Sequence, residues 1–222
     1  MTDIVTIILW ILAFVPAIVL HEMGHAIAAF KLGDPTAQRN GRISFNPLRH
    51  IDPFGTVLLP ILLAVAGLPV FGYAKPVPYN PRYFKDPRKG DLIVGLSGPA
   101  ANLIQALAGT LIAFVFNLAC PQWMHAEWSY YMMLLLMMYV QVNLFLMFFN
   151  IIPIPPLDGS SIFAFILPKR YLASYYKIQQ WALPVFMIIV IILPRAIGFN
   201  PFSWYLNATA GNVFNLLFSF LG

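Results

Sequence analysis

The feature that most constrains this sequence is an apolar run at 4–30 whose only strongly polar members are His21, Glu22 and His25. Four more apolar runs follow at 92–119, 128–149, 180–197 and 202–221. Crossing the hydrocarbon core of a bilayer takes about 20 apolar residues, so each run is a candidate span. In lipid the backbone must satisfy its own polar groups, which selects helices. The expected fold is therefore an all-α polytopic membrane protein with about five transmembrane helices. Composition agrees: 60% of residues are hydrophobic and 9% charged, against about 45–50% and about 25% in soluble domains. A chain of 222 residues suffices for one domain. We expect a single membrane-embedded domain over 1–222, with a core at 4–159 and two additional C-terminal helices in 160–222.

The net charge of +5 is informative by position. Lys and Arg gather in short connectors at 31–49, 75–89 and 169–177, which marks these as cytoplasmic. Basic residues split in this way do not form a nucleic-acid surface. The connector at 121–128 has no Lys or Arg and fits the outside, with Trp123, Trp128 and Tyr130 at that interface. The resulting topology is multi-pass, with the N-terminus out and the C-terminus in. The stretch 51–73 lies between two cytoplasmic connectors, so it must enter and return on one side. Its Pro53, Gly55, Pro60, Gly67, Pro69 and Gly72 suggest a re-entrant loop or β-hairpin between the first two spans, with a short helical hairpin as the alternative. Cys120 is the only cysteine, so no internal disulfide forms and no thiolate cluster binds metal. The first run lacks a basic leading region and carries ionisable groups, so it is not a signal peptide.

Those ionisable groups carry the chemistry. On a helix, residues four apart share a face, so His21 and His25 can present two imidazoles to one Zn2+. Glu22 lies beside them as a general base for water. This His-Glu-x-x-His arrangement is the zinc-protease helix pattern, in which the metal brings the pKa of water to about 7. Three ionisable residues inside an apolar run are costly and point to function; the bland alternative is a hydrogen-bonded cluster that staples helices.

A catalytic zinc needs a third protein ligand and an open position. Of the eight acidic residues, Asp158 is the remaining candidate after those at the N-terminus, in the basic connectors and in the outer connector are set aside. Pro153, Pro155 and Pro156 break the helix before it. Gly159 permits a sharp turn after it. His50 and His125 are weaker candidates for the same role. Asp158 also has the alternative role of a helix cap.

Together these motifs resemble the site-2 protease family of intramembrane metalloproteases. The resemblance rests on His21, Glu22 and His25, and on Asn150, Pro153, Pro155, Leu157, Asp158 and Gly159 in an Asn-x-x-Pro-x-Pro-x-Leu-Asp-Gly pattern. It extends to Phe45-Asn46-Pro47-Leu48, His50-Ile51-Asp52-Pro53, Gly72 through Pro78, and Ser97-Gly98-Pro99-Ala100-Ala101-Asn102, whose small residues suit close helix packing. It implies Asp158 as third zinc ligand, one Zn2+ per chain, Glu22 as catalytic base, and Asn150 as a substrate or oxyanion contact. Asn150 has the alternative role of capping its helix. Asn102 is either an interhelical hydrogen bond or a substrate contact. The likeness is to short bacterial members, without a PDZ-like insert or a CBS domain.

The expected function is an intramembrane zinc endopeptidase that hydrolyses peptide bonds in the transmembrane segments of other proteins, in the plasma membrane of a bacterial cell. Its partners are such substrates and the lipid bilayer; the sequence does not define an oligomeric state. His21 lies about ten residues before the cytoplasmic end of the first run, so the zinc site sits roughly 15 Å below the cytoplasmic surface. The 43–78 region, with Gly55 and Gly72, is expected to bind unwound substrate as an added strand. The alternatives are a zinc-binding membrane transporter, which tends to show repeats and dispersed ligands, and a non-proteolytic membrane scaffold.

Overall fold

The computed structural model describes residues 4–65 and 72–221, and for Val57, Pro60 and Ala64 the backbone only. The first apolar run is one helix, α1 (Ile4–Lys31). It stops where Gly33 takes a φ of 103°, a conformation that favours glycine, and Asp34 N returns to Ala29 O at 3.0 Å. A short α2 (Thr36–Arg39) and a 3-10 turn at Pro47–Arg49 follow.

Asp52 then caps a π turn at Pro53–Leu58, its Oδ1 accepting from Phe54 N at 3.0 Å and Gly55 N at 2.7 Å. The turn leads into α3 (Leu59–Val65). This part of the chain is helical rather than the arm of a β-hairpin, because an Asx cap followed by proline at the first helical position starts a helix. The return leg from Gly72 is extended without forming a strand, and there is no strand among the described residues. It is tied back by Tyr73 N to Gly55 O at 3.1 Å, Lys75 N to His50 O at 2.9 Å, and Thr56 Oγ1 to Tyr73 O at 2.8 Å. Gly67 and Pro69 lie outside the described residues.

The second span is α4 (Pro87–Ala119), capped by Asp86 on Arg88 N and Lys89 N. The third is α5 (Glu127–Asn150), which ends ahead of Pro153, Pro155 and Pro156. Then come α6 (Ser160–Ile166), α7 (Lys169–Gln179) and α8 (Ala182–Ile197). A final helical run joins α9 (Pro201–Leu206), a π turn at Asn207–Gly211 and α10 (Asn212–Leu217).

Among the described residues, α1, α4 and α5 are the helices long and apolar enough to cross a membrane. α7 and α8 meet at a 65° bend. With 16 residues, α8 falls short of the usual span of about 20.

The three long helices pack on one another through small residues. A Cβ on Gly24 of α1 would come within 2.7 Å of Ser97 O and 3.0 Å of Ala101 Cβ, both on α4. A Cβ on Gly109 of α4 would meet Val140 Cγ2 of α5 at 2.9 Å. In lipid no hydrophobic force drives helices together, so close van der Waals packing of this kind carries the association. Leu9, Ala13 and Ala17 of α1 meet Met138 and Val142 of α5 in one buried cluster. A second cluster joins Ala106 and Ala113 of α4 with Met133, Val140 and Leu144 of α5, and with Ala210 and Phe218 of the last run. Large side chains such as Ile8, Ile11, Ile104 and Leu111 stay exposed on the outside, where lipid is their solvent. The site forms where α1, α4 and the loop after α5 converge.

Candidate metal centre

His21 and His25 lie one turn apart on α1 and are buried, at 6% and 8% exposure. Their Nε2 atoms are 3.1 Å apart. Asp158 completes the group: its Oδ2 is 3.1 Å from His21 Nε2 and 3.3 Å from His25 Nε2. Three ligand atoms about 2.1 Å from a tetrahedral zinc stand about 3.4 Å from one another, close to the triangle seen here.

The other imidazole nitrogens explain why these three atoms need a cation. His21 Nδ1 lies 2.5 Å from Asn102 Oδ1, and His25 Nδ1 lies 2.7 Å from Val94 O. An amide oxygen and a backbone carbonyl only accept, so each Nδ1 carries the proton and each Nε2 presents a lone pair. Asp158 Oδ2 is buried without a hydrogen-bond donor. Three lone pairs facing one another in a buried site suit a metal ion. Among the described residues, His21, His25 and Asp158 form the one such group.

The fold delivers Asp158 by breaking and closing a loop. After α5 stops, Gly159 N bonds Asn150 O at 2.6 Å. A Cβ on Gly159 would collide with Ile151 O, so the closure requires glycine. α6 starts at once with Gly159 as its cap and no side-chain cap bond, so Asp158 is not spent as a cap. Its backbone oxygen accepts from Ser161 Oγ at 2.8 Å. From the opposite wall, Gly98 of α4 lies against the imidazoles so closely that a Cβ would overlap His25 Nε2 and His21 Cε1.

A cavity of about 510 Å3 opens onto these ligands and is lined in addition by Glu22, Asn150, Gly72, Tyr73 and Asp91. Glu22 is therefore on the wall beside the metal group. Its Oε2 is 3.9 Å from Arg42 Nη2.

Comparison with known proteins bears on this arrangement. The family described as "Peptidase family M50" matches residues 117–193, which include Asn150 and Asp158. Over 181 residues the chain is 36% identical to "Putative zinc metalloprotease YwhC" of Bacillus subtilis (strain 168), covering 82% of this chain and 79% of that one. This chain belongs to peptidase family M50. It is also 30% identical to "Putative zinc metalloprotease Rip2" of Mycolicibacterium smegmatis over 84% of this chain and 66% of that one. Identity to "Zinc metalloprotease MJ0392" of Methanocaldococcus jannaschii is 27%, over 84% of this chain and 41% of the other. No solved structure matches the chain.

The remaining sequence candidates of this M50 member fall at different distances from the metal group. His50 is 2% exposed and its Nε2 bonds Ser44 O at 2.8 Å, which fixes the connector; His125 sits in the turn before α5. Asn150 reaches the cavity wall while its Nδ2 bonds Leu146 O at 3.0 Å. Gly72 lines the cavity. Gly55 lies behind it, and a Cβ there would overlap the Tyr73 ring.

Asn102 is 0% exposed. Besides His21 it bonds Asn143 Oδ1 at 2.8 Å and Ala17 O at 3.3 Å, which gives it interhelical bonds to both α1 and α5. Gln105 extends the network, its Oε1 accepting from Tyr139 OH at 2.7 Å.

Sequence reasoning passed over Arg42, counted only as one of many connector cations. It is buried, donates to Arg49 O at 2.7 Å and also to Lys75 O, and so fastens the return leg beside Glu22. The signal available is weak: an arginine in a basic connector looks the same whether it faces water or folds under.

Proposed function

We propose that this chain is an intramembrane zinc endopeptidase that cuts the transmembrane segments of other membrane proteins. Membership of family M50 makes it a metallopeptidase of the membrane, and does not favour the transporter or scaffold alternatives. The observation that carries the reading is the convergence of two imidazole nitrogens and a carboxylate oxygen, all buried between membrane helices, on a cavity that also holds Glu22.

His21, His25 and Asp158 are the residues to hold one zinc. When bound there, zinc supplies Lewis acidity, polarising a carbonyl and acidifying water. The protein's own groups do the rest. Asn102 and the Val94 carbonyl hold the imidazoles in the tautomer that leaves Nε2 free. Glu22 takes a proton from the attacking water and returns it to the departing amine nitrogen as the C–N bond breaks. The half-buried Asn150 on the cavity wall is positioned to hydrogen-bond substrate backbone, and the 72–79 leg offers extended chain beside it.

We read the chain as one domain with five crossings, the apolar runs 180–197 and 202–221 being the fourth and fifth. The basic connectors 31–49 and 75–89 put the cavity on the cytoplasmic side of a bacterial plasma membrane. Regulated intramembrane proteolysis is the process this arrangement suits.

The test is Glu22→Gln. The variant is expected to bind zinc stoichiometrically and to lose cleavage of a membrane-spanning reporter by a factor of about 10²–10⁴. Normal cleavage by a zinc-loaded variant rules this reading out.

A further inference from the structure

Three carboxylates stand on the cavity wall: Glu22, Asp91 and Asp158. Glu22 has Arg42 near it, and Asp158 has the two imidazoles. Asp91 has no cationic partner among the described residues. Arg88, one turn earlier on the same helix, is engaged elsewhere, donating from Nη2 to Ala164 O at 3.2 Å, Leu167 O at 2.6 Å and Phe165 O at the end of α6. Among the described residues, no Lys or Arg lines the cavity.

Asp91 is nevertheless held in place. Tyr79 OH donates to its Oδ1 at 2.5 Å, while Oδ2 accepts no hydrogen bond among the described residues. Tyr175 and Tyr176 of α7 line the same cavity. A carboxylate fixed by Tyr79 on the wall of an open cavity, with no cation of its own, suits a cationic side chain.

The geometry points to Asp91, backed by Tyr79, as a substrate subsite that takes a Lys or Arg side chain. The inference rests on reading the cavity as the peptide-binding cleft. Its position sets which substrate residue it reads. Val94, whose carbonyl holds His25, lies three residues further along α4, about 4.5 Å deeper. Extended peptide rises about 3.3 Å per residue. The cation therefore sits within about three residues of the scissile bond, on the side of the 75–89 connector. Lys and Arg are abundant just beyond the cytoplasmic ends of membrane spans, so the subsite would select spans cut close to that boundary.

The experiment separates binding from cleavage. Single-span peptides carrying Lys, Gln or Glu at each of the three positions are titrated against Glu22→Gln protein in nanodiscs. The Lys peptide is expected to bind about tenfold more tightly than the Gln peptide, as for a hydrogen bond to a charged group. Adding Asp91→Asn should bring that ratio close to one. Asp91→Lys should reverse the order in favour of the Glu peptide, and Tyr79→Phe should shrink the preference. Reversal also shows that the altered proteins are folded. A Lys preference that survives in Asp91→Asn and Asp91→Lys, or equal affinities for all three peptides in the Asp91 parent, overturns the subsite. Discriminating binding without cleavage by the wild-type protein would instead sink the peptidase reading and leave the subsite standing.

Discussion

His21 Nδ1 and Asn102 Oδ1 stand 2.5 Å apart across the α1–α4 interface, and this contact selects which imidazole nitrogen is offered to a metal. Asn102→Ala should therefore lower zinc affinity by about 10–100-fold, read by chelator competition. It should leave Glu22 and Asp158 in place. Unchanged affinity means that His21 does not depend on this bond.

Gly98 can lie against both imidazoles because it has no Cβ, which would overlap them. Gly98→Ala is expected to weaken zinc binding and to destabilise the apo-protein by about 1–3 kcal/mol through overpacking, measured by thermal melting in detergent. Wild-type zinc affinity in this variant would show that α4 moves aside freely.

Gly55 packs under the Tyr73 ring and Gly72 lines the cavity. Leu at either position should slow reporter cleavage with zinc content unchanged. Full turnover in both variants removes the return leg from substrate binding.

Asp34 ties the first connector to the 80s: its Oδ1 accepts from Thr36 N at 2.9 Å and Thr36 Oγ1 at 2.5 Å, and its Oδ2 from Asn80 N at 2.5 Å. Burial alone would raise its pKa, but the bonds from Thr36 and Asn80 and the charge of Arg39 outweigh burial and hold it below the ordinary value of 3.8. A lowered folded-state pKa adds stability that is complete above the unfolded value and fades as pH falls through the folded one. Melting temperature should thus drop below about pH 4, and Asp34→Asn should flatten that acid limb while costing about 1–3 kcal/mol near neutral pH. An unaltered acid limb would place the titrating group elsewhere.

Much of this was legible in the residues. The runs 4–30, 92–119 and 128–149 became α1, α4 and α5 with shifts of a few residues at their ends, because a long apolar segment in lipid has helix as its available form. The pairing of His21 with His25 followed from helical spacing alone. Asp158 was reached by setting aside the other carboxylates and by the family pattern. The stretch from Asp52 was harder: Pro and Gly signal a break, yet the Asp52 cap and Pro53 start a helical turn, a local preference that a coarse count of breakers hides.

What the sequence by itself determined is the apolar character of the long runs, the three long helices and the facing of His21 and His25, since these depend on hydrophobic length and on residues close together along one helix. Tertiary structure alone decided the rest. Asn102 is separated from His21 by 81 positions, and Val94 from His25 by 69. Arg42 reaches Glu22 only because its connector folds under, and Tyr79 reaches Asp91 only because the return leg runs beside α4. Each of these contacts joins groups from different segments, and which partner a buried polar group takes is settled by how the helices pack.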